Sequence, residues 1–227
     1  MTDTRRVILN SLKDRLERSA NSRKSIEAMQ AEVDDRLADP PTHPLPARGR
    51  CMGEERTSLF IRMAKEAGAE VERIASASLL PERLSLLLEG WGLNQGLLAA
   101  TDPMLIALPW AAAGITLRHG RASSMDQVSI AVAYAGVAET GSLLLVATPQ
   151  SPMSIHLLSD LHVVLLPVSR LFGTMEEAFV HLRRETPGLP SASMFVTGPS
   201  RTADIEQQMQ LGAHGPRELR VYIDENE

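Results

Sequence analysis

The sequence holds a single cysteine, Cys51, in 227 residues. One thiol excludes an intramolecular disulfide, and it excludes a cysteine-ligated iron–sulfur cluster within the chain, because such clusters take several thiolates. Nothing beside Cys51 in sequence marks it as activated. Aromatic residues are scarce at 4%, so the core is expected to consist mainly of Leu, Val, Ile, Ala and Met. There is no basic block and the formal net charge is −5. Nucleic acid, which needs a basic face, is therefore not an expected partner. No apolar run approaches the roughly 20 residues that span a bilayer. The opening Met-Thr-Asp-Thr-Arg-Arg lacks the apolar core of a secretory signal, so a cytoplasmic location is expected. The sequence has no GxGxxG after a strand, no GxxxxGK[ST] and no HExxH, which removes the standard nucleotide and zinc-protease fingerprints. No metal site is expected from spacing.

The apolar share, 44%, is ordinary for a globular chain and sufficient for a core. Three segments are expected. Residues 1–38 form an N-terminal helical arm: Ile8, Leu9, Leu12 and Leu16 make one apolar stripe on a helix over 5–19, and 21–37 continue with helix-compatible, charge-mixed sequence. The stripe must pack on this domain or on another subunit. Pro40, Pro41, Pro44 and Pro46 then rule out regular helix and central strand, so 39–52 is expected to be a proline-rich linker. Residues 53–227 form an α/β domain. Leu59, Phe60, Met63 and Ala67 share one helical face and Gly68 stops that helix. A strand is expected over 70–74, a helix over 81–88 with Pro81 in its first turn, and a further strand over 114–117. Residues 97–100 are a short apolar run, and 105–108 suit either a strand or a helix end. Strands follow over 128–133, 143–147, 162–166, 192–196 and 219–223. Met175, Ala178, Phe179 and Leu182 make a helix face with Thr174 as its N-cap. Apolar strands separated by amphipathic helices predict a mostly parallel sheet covered on both faces.

Polar chemistry gathers at a few turns. A β-rich run over 193–197 is stopped by Gly198 and Pro199, and Ser200, Arg201, Thr202 and Asp204 follow at once. Side chains just past a strand end are where open α/β sheets place ligand contacts. A helix start there would offer free amides to an anion beside Arg201, whose guanidinium with Ser200 and Thr202 could hold a carboxylate or phosphate. Equally, Ser200, Thr202 and Asp204 are good caps and turn formers. The stretch closes on Gly212, Ala213, His214, Gly215 and Pro216. Glu139, Thr140 and Gly141 form a second turn between two apolar segments, where the carboxylate can act as base or nucleophile or simply cap the turn. His156, His162 and His214 could move a proton near neutral pH. No spacing joins them; His162 opens a buried strand and reads as structural, and His214, in the glycine loop, is the best functional candidate of the three. His43, His119 and His181 carry no such signal. Trp91 and Trp110 read as packing residues.

Gly198 to Glu206 followed by Leu211 to Pro216 resembles the C-terminal signature of the LUD domain, of the lactate-utilisation protein C type. Val137 to Leu145 resembles that family's glutamate-hydroxyl-glycine turn and following strand. Ser154 to Leu158 through His162 to Pro167 resembles its next loop and strand. The three blocks stand in family order over roughly the last hundred residues. Two positions depart from the pattern: Ser129-Ile130-Ala131 stands where the family often has Gly-Ile-Thr, and Ser159 where it often has proline. The resemblance implies a Rossmann-like three-layer α/β/α sandwich, as in the superfamily of ribose-5-phosphate isomerases, glucosamine-6-phosphate deaminases and CoA transferases. It also implies a part in oxidising L-lactate to pyruvate beside iron–sulfur partner proteins, with the clusters in those partners and no cofactor in this chain. By the same analogy Glu139 stands where class I CoA transferases carry a nucleophilic glutamate in a similar turn. The alternatives are therefore an autonomous transferase-like or isomerase-like enzyme using Glu139, or a regulatory module binding a small anion through Thr140, Gly141, Gly198 and the Ser200–Asp204 side chains. A homo-oligomer remains open.

Overall fold

The computed structural model describes residues 2–18, 25–38, 44–93, 96–123, 125–186, 190–205, 208–212 and 214–226, without the side chains of 2–5, 15–18 and 202–211. It divides into two compact units, Met1–Pro44 and Leu45–Glu227. The described residues of the first unit include two helices, α1 (Thr2–Arg18) and α2 (Ile26–Ala38). The second begins inside the stretch read as linker: Ala47–Arg50 make a turn of 3-10 helix and Gly49 within it is buried. Of that stretch, 39–43 lie outside the described residues, as does His43.

In the second unit, α3 (Gly53–Glu66) leads to β1 (Glu70–Ile74), α4 (Leu80–Gly90), β2 (Gly96–Ala99), α5 (Pro103–Ile106) and β3 (Thr116–His119). Then come β4 (Val128–Val132), β5 (Ala135–Val137), β6 (Ser142–Val146), α6 (Met153–Leu157), β7 (Leu161–Pro167), β8 (Leu171–Phe172) and α7 (Met175–Glu185). The chain finishes with β9 (Ser193–Val196), β10 (Arg201–Ile205), β11 (Gln208–Leu211) and β12 (Glu218–Asp224). The ambiguous 105–108 run enters α5, which Asp102 caps by accepting the Met104 N–H at 2.9 Å and Pro103 starts. Gly68, at φ +92°, ends α3 as its sequence position predicts.

Six strands form one sheet in the order β1-β12-β7-β4-β2-β3, and every pairing in it is parallel. Its three layers are visible in how neighbouring residues part company. Val163, Leu165 and Tyr222 join the core cluster beneath Leu80, Leu84 and Leu88 of α4. Val164, Leu166 and Val221 join the opposite one, with Leu59, Phe60 and Ala64 of α3. A strand exposes alternate side chains to alternate faces, so two helical layers bury both. That is why β7 is buried at all seven positions.

A second sheet, β8-β5-β6-β9, has no counterpart in the sequence reading. Its β5–β6 hairpin and its β6–β9 pair are antiparallel. Ala135, Val137 and Leu144 pack there against Ala178 and Leu182 of α7 in a third cluster. The 143–147 run, buried over Leu143–Leu145, therefore belongs to this second sheet and not to the parallel one. A correction falls on the stretch after Gly198. It starts no helix: β10 and β11 pair antiparallel, Arg201 opposite Leu211 and Thr202 opposite Gln210. The polar alternation that suggested caps suits a hairpin equally well, and pairing between its strands decides which forms.

Candidate functional site

The Glu139–Thr140–Gly141 turn joins β5 to β6 and is pressed onto α3. Gly141 has φ +65°, and a Cβ there would collide with the Met63–Ala64 backbone. Only glycine tolerates both the left-handed conformation and the close approach. Gly198, at φ +80°, seats in the same manner against the Ala67 carbonyl at the end of α3. A run of hydroxyls connects the two turns: Ser142 Oγ donates to Thr140 Oγ1 at 2.8 Å and lies 2.5 Å from Thr197 Oγ1. Two stretches 57 positions apart, Gly141 and Gly198, thus meet along one helix. Arg201 comes with them, its guanidinium lying over Gly68.

Glu139 itself is buried, with 5% of its surface exposed. Its backbone N–H donates to the Gly173 carbonyl at 3.1 Å, and its Oε1 accepts the Met175 N–H at 3.1 Å. The carboxyl group therefore sits at the positive end of α7, where a negative charge is stabilised. Thr174 completes this terminus as expected, accepting the Glu177 N–H at 3.2 Å, while Glu177 Oε2 accepts the Gly173 N–H at 2.8 Å. Glu139 Oε2 is buried and has no hydrogen-bond partner among the described residues. A Cβ on Gly49 would lie 3.3 Å from it, so the 3-10 turn covers this oxygen. Arg56 holds that cover down: it donates to the Cys51 carbonyl at 3.0 Å and to the Leu171 carbonyl at 3.1 Å. Reaction at Glu139 would require the 47–50 turn to move.

The expected ligand stretch is organised around Ser200. Its N–H donates to the Pro216 carbonyl at 2.8 Å, its carbonyl accepts the Gly212 N–H at 3.0 Å, and its Oγ accepts the His214 N–H at 3.4 Å. These bonds close the loop on itself. His214 contributes its backbone there while its side chain is exposed, and no described contact joins that imidazole to Glu139. The side chains of Thr202 and Asp204 lie outside the described residues.

Sequence spacing missed one constellation. His156 on α6 and His162 on β7 are both buried, and His156 Nδ1 lies 3.1 Å from His162 Nε2. His162 Nδ1 lies 2.9 Å from Ser129 Oγ, which is 2.5 Å from Ser159 Oγ. Ser129 donates its one proton to the Ile155 carbonyl at 2.8 Å. It must then accept from His162, so His162 carries its proton on Nδ1 and receives one from His156 Nδ1 at Nε2. His156 Nε2 is left to accept from Ser151 Oγ at 3.1 Å. One carbonyl thus sets both tautomers. Burial lowers the His156 pKa to about 4. His162 is pushed well below the usual imidazole value, by burial first and then by His156. Both rings are neutral at pH 7. The two departures from the family pattern, Ser129 and Ser159, are bonded to each other in this network. The missed signal was register: parallel pairing sets Ser129 opposite His162.

Among the described residues no three His, Cys, Asp or Glu side chains group to hold a metal ion, and no helix is long and apolar enough to cross a membrane. Trp110 is buried and donates its indole N–H to the Leu105 carbonyl at 2.5 Å. Trp91 is 41% exposed, with the Arg220 guanidinium 5.4 Å from its ring centroid.

Residues 121–223 match the LUD domain family model. Lactate utilization protein C of Geobacillus kaustophilus is 33% identical over 103 residues, 43% of each chain. The protein of that name from Shouchella clausii is 35% identical over 96 residues, 41% of this chain and 42% of that one. An uncharacterized protein of Neisseria meningitidis serogroup B is 34% identical over 89 residues, 39% of this chain and 38% of that one. The matched part is about two fifths of the length of these curated relatives. Among solved structures, a DUF162 family protein from Deinococcus radiodurans superposes with a TM-score of 0.55 at 19% identity, covering 80% of this chain and 100% of that one. This likeness shows the α/β fold.

Proposed function

We propose, with the LUD-domain match of residues 121–223 as premise, that this chain serves L-lactate utilisation as a cytoplasmic component without a redox centre of its own. In this reading L-lactate is oxidised to pyruvate by an assembly whose iron–sulfur clusters sit in partner proteins. The observation that carries it is the run of relatives named lactate utilization protein C, whose aligned region includes a length of about a hundred residues. The single cysteine fits a component that leaves electron transfer to others. Deletion of the chain is expected to abolish growth on L-lactate and lactate-dependent dye reduction in extracts. Growth and dye reduction at the parental rate would overturn the reading.

A second reading rests on a specific observation, the buried and unpartnered Glu139 Oε2 at the start of α7. In it, Glu139 is a reactive carboxylate of a transferase-like or isomerase-like enzyme, uncovered when the 47–50 turn shifts. Glu139→Gln separates the two. The amide keeps an oxygen for the Met175 N–H, so the fold persists. Under the first reading lactate growth stays within about twofold of wild type; under the second, turnover falls by on the order of a hundredfold or more.

A further inference from the structure

We infer that α1 and α2 form a self-association surface, and that the chain dimerises by packing this pair of helices against the same pair of a second copy. Among the described side chains of the first unit, the large apolar ones are exposed. Ile8, Leu9 and Leu12 on α1 are 54%, 53% and 51% exposed. On α2, Ile26, Met29, Val33 and Leu37 are 81%, 44%, 49% and 73% exposed, and no residue of that helix is buried. The spacing of these four, at i, i+3, i+7 and i+11, gives the narrow stripe of a helix–helix seam rather than the broad face of a helix lying on a sheet. Helices of 17 and 13 residues are marginal in water unless such a stripe is buried.

Charge identifies the occupant. The α1 helix carries five basic residues against three acidic, and α2 carries four acidic against one basic. One chain therefore presents a net positive helix and a net negative helix, each with an apolar seam. A two-fold axis sets α1 of one copy against α2 of the other twice over, so the surface is its own complement. Four short helices then enclose one apolar core with the opposite charges flanking it, the arrangement of a helix bundle.

Sedimentation equilibrium of the full chain tests this. The wild type is expected at about twice its 24.7 kDa. Raising salt from about 0.05 to about 0.5 M should weaken association at least fivefold, because the flanking charges are screened. The double variant Leu12→Glu, Val33→Glu should run as a monomer. Its thermal midpoint and near-ultraviolet dichroism should stay those of wild type, since Trp91, Trp110 and the sheets lie in the other unit. A wild type that is monomeric at about 100 μM, well above the range of specific dimers, overturns the inference. So does a dimer that the double variant leaves intact, because association would then use another surface. A chain that is monomeric alone but is recovered bound to an iron–sulfur protein assigns the helices to that partner and overturns it too.

Discussion

Two imidazoles held neutral where α6 meets β7 make acid the first stress this protein should feel. In the unfolded chain a histidine takes up its proton near 6.5, whereas His156 in the fold does so only near 4. Between those values the unfolded state binds the proton and the native state does not, so stability rises with pH across that window. The contribution is fully present above about 6.5 and is lost progressively as pH falls to about 4, amounting to roughly 3 kcal/mol for His156 alone. Urea unfolding at pH 7 and pH 5 should show the loss, with an unchanged m-value. Replacing both imidazoles by phenylalanine should flatten the slope; an equally steep slope in that variant would place the acid sensitivity elsewhere. Ser129, Ser159 and His162 are plain letters in the sequence, 30 and 33 positions apart. Their joint burial was not legible there, because a hydroxyl and an imidazole give no periodicity. Glu139 stood out by its turn, but that its Oε1 would anchor α7 depended on where residue 175 came to lie.

Glycine contacts and the capped start of α7 hold the turn that carries Glu139 in place. Gly141 presses its turn onto α3, so Gly141→Ala meets both the left-handed backbone and the Ala64 main chain. A loss of about 2–3 kcal/mol is expected, read as a lower urea midpoint. A change of a few tenths of a kcal/mol would mean that the turn is free to back away from α3. Thr174→Ala removes the acceptor for the Glu177 N–H and should cost about 1 kcal/mol. Because Gly173 and Met175 flank it, this variant also loosens the frame around Glu139. A Glu139-dependent activity would therefore fall with it, and an activity independent of Glu139 would not.

Over the whole molecule, protection should follow the centre of the parallel sheet. The β7 strand pairs with β12 on one side and β4 on the other and is buried on both faces. Its amides and those of β4 and β12 should exchange only by global unfolding, and those of β3, at the sheet edge, much sooner. Equal rates in β3 and β7 would contradict the strand order. The same exchange map reads the first unit: amides of α1 and α2 gain protection with concentration if the two-fold association holds.

The sequence by itself determined the class of fold, since a β7 apolar at nearly every position suits a strand covered on both faces, and amphipathic spacing marks α3 and α4 as its covers and α7 as a further helix. It also determined the family resemblance and the Thr174 cap, each of which rests on residue types at particular places. Tertiary structure alone decided that 143–147 leaves the main sheet for a second one, and that 201–211 pairs as a hairpin instead of opening a helix. It alone decided that Gly49 covers Glu139, and that His156 meets His162. The physical reason is common to these four. Each depends on which partner a segment or side chain meets once the chain is folded, near in sequence for the hairpin and the two imidazoles and distant for the other two, where local propensity allows two outcomes and burial and backbone pairing select one.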